Sequence, residues 1–438
     1  MSRLRYQGGR KEHILTDGKI EQGFRSDETI PQGTLIRLEG EMTAGGILAR
    51  KITVLEGDGG KSALERIMAN ISESARLPEK ASLLDDDVSR MIWPRLREAA
   101  LKLITAKKLG RSVMLRFHGD ADGISGAFAI TSVAYCKAFQ QNSAIYSVRD
   151  ALRDIAAVGQ ESRPLVILLD FGSSDSCREA LSLLSAGGIE YLVIDHHPYN
   201  AKEDERIINP FSIDENASKY TAGYLACEIA VACGLDRDKA LELAKTACSG
   251  DKSTIIENGD QEAKRAMVLD FLASHVSFGN NLDFYKKVME STDLFSSIAA
   301  SADESIEEAA EKAVSRAKRS DFSGVETVSF SLEGIARKGE WPPSSKITTR
   351  VFDKLRGETP IVCIGITDRS LIIRLNDQAA GRGLSANTLA EKMKKAMADF
   401  IEGGGGHTRA GAIRAREGFV KDVLGQLLKE IEGTSKGS

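Results

Sequence analysis

The sequence predicts an α/β protein: a doubly wound, mostly parallel sheet over residues 110–285, a smaller α/β C-terminal domain, and a small N-terminal β domain in front. Three observations predict it. Short apolar runs at 113–117, 165–169 and 191–194 alternate with stretches of helical period. Each run ends in acidic or imidazole residues, as expected where ligand groups collect beyond the carboxyl ends of parallel strands. Within the first 57 residues, β-branched runs at 34–42 and 47–55 flank Ala44-Gly45-Gly46, the pattern of a hairpin.

Composition bounds the function. A chain of 438 residues exceeds one ordinary core, so several domains are expected. Hydrophobic residues at 42% and charged residues at 28% are globular values, and no apolar stretch approaches the ~20 residues that span a bilayer, so no membrane association is expected. Residues 1–11 carry Arg3, Arg5, Arg10 and Lys11 with no apolar core behind them, which is not a secretory signal; a cytoplasmic location is the expectation. The six cysteines form no C-x-x-C pair and read as buried reduced thiols. A formal charge of -4 excludes a wholly basic coat, yet residues 369–416 hold nine Lys or Arg against four Asp or Glu.

In chain order, residues 1–57 are expected to form a β domain that is either a partial oligonucleotide-binding barrel or a packing module, since no aromatic stacking platform is visible. Residues 58–109 read as helical, with Leu64, Ile67, Met68 and Ile71 at three- and four-residue spacing. Residues 110–285 hold the parallel sheet. A linker follows at 286–322, with a charged amphipathic helix at 305–319. The C-terminal domain, 323–438, is expected to place strands near 326–331, 360–366 and 370–375 among helices near 346–355 and 385–401.

The chemistry concentrates at the strand ends. The first run closes on Phe117-His118-Gly119-Asp120-Ala121-Asp122-Gly123, the second on Asp170, and the third on Asp195-His196-His197; Asp251 follows Cys248-Ser249-Gly250. Phosphodiester hydrolysis needs an activated water and compensation for charge developing at phosphorus, and two cations ~3.5–4 Å apart supply both. Asp170, alone at its strand end, is the natural bridging ligand. His118 and Asp120 would complete one ion's set, and Asp122, His196 and Asp251 the other. Alternation along an extended turn is expected to point His118, Asp120 and Asp122 the same way. Mixed oxygen and imidazole donors without thiolate suit manganese, with magnesium or cobalt as alternatives. His197 is placed to contact the scissile phosphate or protonate the leaving oxygen, and Asp195 to orient a neighbouring imidazole. No phosphate-binding G-x-x-x-x-G-K-[ST] loop, G-x-S-x-G elbow or dinucleotide fingerprint is present.

Near the C-terminus an amphipathic helix is expected to end at four glycines, Gly403, Gly404, Gly405 and Gly406, followed by His407, Thr408 and Arg409. Their exposed amides would form an anion-binding concavity, with Arg374 and Arg382 adding phosphate contacts.

At these residues the sequence resembles the DHH phosphoesterase superfamily, named for Asp195-His196-His197, and most closely its RecJ-type single-strand exonucleases, over about residues 110–435. The resemblance implies a first domain holding two manganese ions and a second holding the nucleic-acid strand or terminal phosphate through Gly404, Gly405, Gly406, His407 and Arg374. It implies hydrolysis of single-stranded DNA from the 5′ end. Relatives with the same ligand set instead act on RNA, short oligoribonucleotides, cyclic dinucleotides or 3′-phosphoadenosine phosphate, and a docking role with replication or repair proteins stays open. Bacterial RecJ proteins usually carry Asp at the place of His118 and a nucleic-acid-binding barrel after the C-terminal motif; here the N-terminal β domain would take the barrel's place, as in archaeal RecJ-like proteins. Leu375 follows Arg374 where the family often has Ser.

Overall fold

The structure, a computed structural model, describes residues 6–7, 10–198, 204–276, 282–337 and 339–436; Arg3 and Arg5 of the basic start lie outside them. The chain divides into two compact units, Met1–Ser291 and Thr292–Ser438.

The first unit begins with strands β1 (Tyr6–Gln7), β2 (Arg10–Thr16), β3 (Glu21–Ser26), β4 (Ile36–Thr43) and β5 (Gly46–Val54), in the order β1-β2-β3-β5-β4. All neighbours are antiparallel except β3 and β5, which run parallel. The β4–β5 hairpin is the one the sequence pattern marks; β2 and β3, Arg-Lys-Glu-His-Ile-Leu-Thr and Glu-Gln-Gly-Phe-Arg-Ser, carry too few apolar residues to show the period. Helices α1 (Gly57–Ser74) and α2 (Asp87–Lys108) follow. Glu228, fully buried, ties the loop between them by accepting the N–H groups of Ser82, Leu83 and Leu84 at 2.8, 2.8 and 3.3 Å.

The central sheet is built from β6 (Val113–His118), β7 (Lys137–Gln141), β8 (Leu165–Leu169), β9 (Glu190–Ile194) and β10 (Ile207–Ile208), all parallel, in the order β10-β9-β8-β6-β7. Every residue of β8 is buried, as a two-sided parallel strand requires. The polar edge strand β7, Lys-Ala-Phe-Gln-Gln, is the one the apolar runs do not reveal. Crossovers run through α3 (Ala121–Val133), α4 (Val148–Val158) and α5 (Arg178–Ala186), and α6 (Ala222–Ala232), α7 (Arg237–Gly250), α8 (Asp260–His275) and α9 (Leu282–Glu290) complete the unit. α3 and α6 are apolar around most of their circumference and bury almost every residue, so they pack as a central pair. No described helix is long and apolar enough to cross a membrane.

The second unit opens with α10 (Thr292–Val314), then β11 (Lys318–Phe322) and β12 (Val325–Ser331), α11 (Ser344–Leu355), β13 (Ile361–Ile366), β14 (Ser370–Leu375), α12 (Asp377–Gly381), α13 (Ala386–Ala396), β15 (Ile401–Gly406), β16 (Ala410–Ala415) and α14 (Val420–Lys436). Its mixed sheet has the order β11-β12-β13-β14-β16-β15. Two expectations change here. The helix placed at 305–319 starts at Thr292 and stops at Val314, because Ala309, Ala310 and Ala313 pack into a core with Val328, Ile347 and Val351, after which β11 takes its place at the sheet edge. The helix expected to reach 401 stops at Ala396, and Gly403–Gly406 are not a loop but part of edge strand β15, with Gly404 opposite Ile413 and Gly406 opposite Gly411. Lacking side chains, the glycines pair closely with β16, and only the amides on the open edge stay outside the ladder.

Candidate metal centre

The acidic and imidazole groups of the first unit converge where β6, β8 and β9 end. β6 delivers His118 and passes through Gly119 to Asp120, which caps α3 by accepting the Gly123 N–H at 3.0 Å. Gly123 has to be glycine: a Cβ there would lie 2.4 Å from the His118 carbonyl. Asp122 belongs to the first turn of α3 rather than to an extended turn, so it does not point with His118 and Asp120 as alternation suggested. It turns instead to α6, where its carboxylate takes the N–H groups of Ala222 and Gly223 at 2.9 and 3.0 Å. That contact uses the positive end of α6, and a Cβ on Gly223 would come within 2.8 Å of it.

Three overlapping groups of possible ligand atoms result, each within 4.8 Å: His118 with Asp120 and Asp170, Asp122 with His196 and Asp251, and Asp170 with His196 and His197. His118 Nδ1 lies 2.6 Å from Asp120 and 3.4 Å from Asp170, and His196 Nε2 lies 3.3 Å from Asp170, 3.1 Å from Asp251 and 3.8 Å from Asp122. Asp170, in the left-handed backbone region with φ of 66°, is shared by groups that otherwise differ. Asp251 caps the C-terminus of α7 and is the exposed member.

The third strand end is organised by hydrogen bonds. Asp195 accepts the N–H and hydroxyl of Ser173 at 3.0 and 2.6 Å and the His196 N–H at 2.8 Å, and its Oδ1 lies 2.8 Å from His197 Nδ1. Fully buried Asn209 donates to Ser173 Oγ at 3.1 Å and to the His197 carbonyl at 2.9 Å. His196 Nδ1 donates to the Ser218 carbonyl at 2.6 Å, which leaves Nε2 facing the carboxylates as the ring's available ligand atom. Ser173 and Asn209 carry no sequence signal beyond Ser173 standing three residues after Asp170.

Electrostatics show what the cluster lacks. Burial, followed by the Asp170 and Asp251 charges, holds the Asp122 carboxyl well above its ordinary range, and burial together with Asp120 raises that of Asp170. Burial alone would depress the His118 imidazole, but Asp120 and Asp170 push it up to about 12. Asp120 and Asp195 are held low despite burial, chiefly by His118 and by His197 with Ser173. Both oxygens of Asp170 and Nε2 of His196 are buried without a hydrogen-bond partner. Such orphaned polar atoms are costly, and a cation between them satisfies all three. The donor set of carboxylate oxygens and imidazole nitrogens fits a divalent metal.

Residues 112–250 match the model of the DHH family, N-terminal domain. That segment, which holds β6 to β9 and the ligand-bearing strand ends, is thus similar to the DHH family's N-terminal domain. It is 24% identical over 488 aligned positions to an uncharacterized protein of Methanocaldococcus jannaschii, covering 94% of this chain and 64% of that protein, so the chain spans a little under two thirds of that relative. Among solved structures it is similar to the DHH domain of a member of the s1p family of ribosomal proteins, with a TM-score of 0.69, 22% identity, and coverage of 85% and 99% of the two chains. RecJ from Thermus thermophilus in complex with Mn2+ matches with a TM-score of 0.51 and 16% identity over 85% of this chain and 59% of that one. The DHH fold is therefore shared, and it is RecJ-like.

The remaining candidates lie in the second unit. Register places Arg374 opposite Ala410, beside the turn that carries His407 and Arg409. Arg374 is largely buried, donating to Thr349 Oγ1 at 3.1 Å and the Ile373 carbonyl at 2.9 Å, and desolvation lowers its pKa. His407 is exposed, and Arg409, also exposed, pairs with Asp377 at 2.5 Å.

Proposed function

We propose that this chain is a manganese-dependent exonuclease that hydrolyses the phosphodiester bonds of single-stranded DNA from the 5′ end. The observation that carries the reading is Asp170: a buried carboxylate with both oxygens unpaired, common to two ligand groups at the strand ends of a DHH domain. His118 and Asp120 would hold one cation and Asp122, His196 and Asp251 the other, with Asp170 between them. When bound, the cations supply an activated water and neutralise charge developing at phosphorus.

The chain's own residues supply the rest. Asp195, braced by Ser173 and Asn209, fixes the His197 ring through Nδ1, which leaves Nε2 to hold a proton for the leaving oxygen. Its hydrogen bond to Asp195, although burial opposes it, raises the His197 pKa and so favours the protonated ring. In the second unit, the open edge of β15 at Gly404, Gly405 and Gly406, with His407, Arg409 and Arg374, would hold the strand's phosphates.

The test is one gel. Purified full-length protein with manganese is incubated with end-labelled single-stranded DNA, RNA and a cyclic dinucleotide, beside Asp170→Ala. Release of 5′ nucleotides from DNA by the wild type alone is expected. Intact DNA with cleaved RNA or cyclic dinucleotide reassigns the substrate, and equal cleavage by the variant refutes the site.

A further inference from the structure

The turn that separates the two ligand groups is held from outside the segment matched by the DHH model. Asp270, on α8, accepts the backbone N–H of Ala121 at 2.9 Å across 149 residues of sequence. Ala121 is the first residue of α3, where an N–H has no partner within its own helix. It also stands between Asp120, which faces His118 and Asp170, and Asp122, which faces His196 and Asp251. The peptide planes on either side of Ala121 are thus the shortest covalent path between the two groups.

Asp122 is already anchored to the N-terminus of α6. The His118–Asp120 side has no such tie to another helix among its described hydrogen bonds; Asp120 caps only its own. α8 packs against both α3 and α7, and α7 ends at Asp251, so one helix braces elements of both groups. We propose that Asp270 is a positioning residue that fixes the spacing of the two ligand groups, and with it the separation of the two cations they would hold; this rests on the two-cation reading above. Functional constellations tolerate only ~0.5 Å of drift, and a peptide plane freed at Ala121 exceeds that readily.

The test is electron paramagnetic resonance of Mn2+ added to the full-length protein, with affinity for each equivalent measured alongside. The wild type should show a spin-coupled pair at two equivalents. Asp270→Asn keeps an acceptor oxygen and should retain the coupling. Asp270→Ala should lose it, with the second equivalent binding about tenfold more weakly, as is usual when a group that orients ligands is removed. Ala121→Pro deletes the donor without touching Asp270; proline suits a first helical position, and Asp120 before it is already extended. It should behave as Asp270→Ala does. Coupling and affinities unchanged in both Asp270→Ala and Ala121→Pro would overturn the proposal, and so would Asp270→Asn matching Asp270→Ala, which would assign the effect to charge. A wild type that binds one uncoupled ion would instead overturn the two-cation reading, and this inference with it.

Discussion

Asp170→Asn should make the metal-free protein more stable and the metal-loaded protein less so. The substitution keeps the side chain's shape and removes its charge. Asp170 is 1% exposed, neither oxygen has a hydrogen-bond partner, and burial with the neighbouring Asp120 raises its pKa above the ordinary 3.8. An unpaired buried polar group costs about 1–3 kcal/mol and a charged one more; the amide keeps the first cost and sheds the excess due to charge, which we take as about 2 kcal/mol. At roughly 2 °C per kcal/mol for a unit of this size, the variant should melt about 4 °C higher in EDTA. With cation at a hundred times its Kd, the wild type gains about 2.7 kcal/mol, or about 5 °C, while the variant gains little because it lacks the carboxylate proposed to lie between the two cations. The order of the two melting temperatures therefore reverses between EDTA and manganese. A raised carboxyl pKa contributes stability that is fully present below the unfolded value and is lost as pH rises through the folded one. The variant's advantage in EDTA should accordingly vanish at acid pH and grow toward neutrality. Differential scanning calorimetry in both buffers decides it: a variant that melts below the wild type in EDTA, or one that keeps the full manganese shift, refutes the reasoning.

Metal binding should displace protons, since the raised His118 and Asp122 groups hold them in the metal-free site; affinity should weaken as pH falls from 8 to 6, and titration calorimetry giving the same enthalpy in buffers of different ionisation heat would contradict this. Glu228→Ala strands three backbone N–H groups and leaves the Tyr224 hydroxyl with Ser89 alone, so unfolding in urea should show a loss of about 3 kcal/mol with activity per folded molecule unchanged; a loss under 1 kcal/mol would mean that the loop finds other acceptors. Gly406→Ala puts a Cβ 2.3 Å from the Ala410 carbonyl at a φ of 149° and should destabilise the second unit by more than ~1 kcal/mol, whereas Gly403→Ala, with nothing within 4 Å, should not; equal melting of the two variants would argue against β15 as a paired strand.

The parts of the fold that sequence revealed are those where burial writes a pattern. β6, β8 and β9 are apolar because helices cover both faces, and their ends announce themselves through Asp170 and Asp195-His196-His197. β7, β2 and β3 stay hidden because an edge strand or a thin sheet buries too little to enforce alternation. The glycines at 403–406 misled for the opposite reason: without side chains they carry no period at all, so strand and loop look alike until β16 supplies the partner. Within the site, residue types that bind metal were visible as types. Asn209, Ser173 and Asp270 were not, because an Asn, Ser or Asp that orients a ligand is chemically the same as one that ends a turn, and only the partner across the fold distinguishes them.

The distribution of hydrogen bonds separates roles among five aspartates of one chemical kind. Asp120, Asp122 and Asp195 each accept backbone N–H groups, from Gly123, from Ala222 and Gly223, and from Ser173 and His196. Asp251 stands at a helix C-terminus, where the dipole disfavours a carboxylate, and relieves this by exposure. Asp170 alone receives neither donors nor solvent, although its own N–H is satisfied by the Ile194 carbonyl and its backbone is held in a strained region. A fold that pairs the buried carboxylates around it but leaves that one bare has placed an electrostatic deficit between the ligand groups. A cation shared between them removes that deficit without moving the backbone, which is why the case for metal rests more firmly on the unpaired oxygens of Asp170 than on the number of acids nearby.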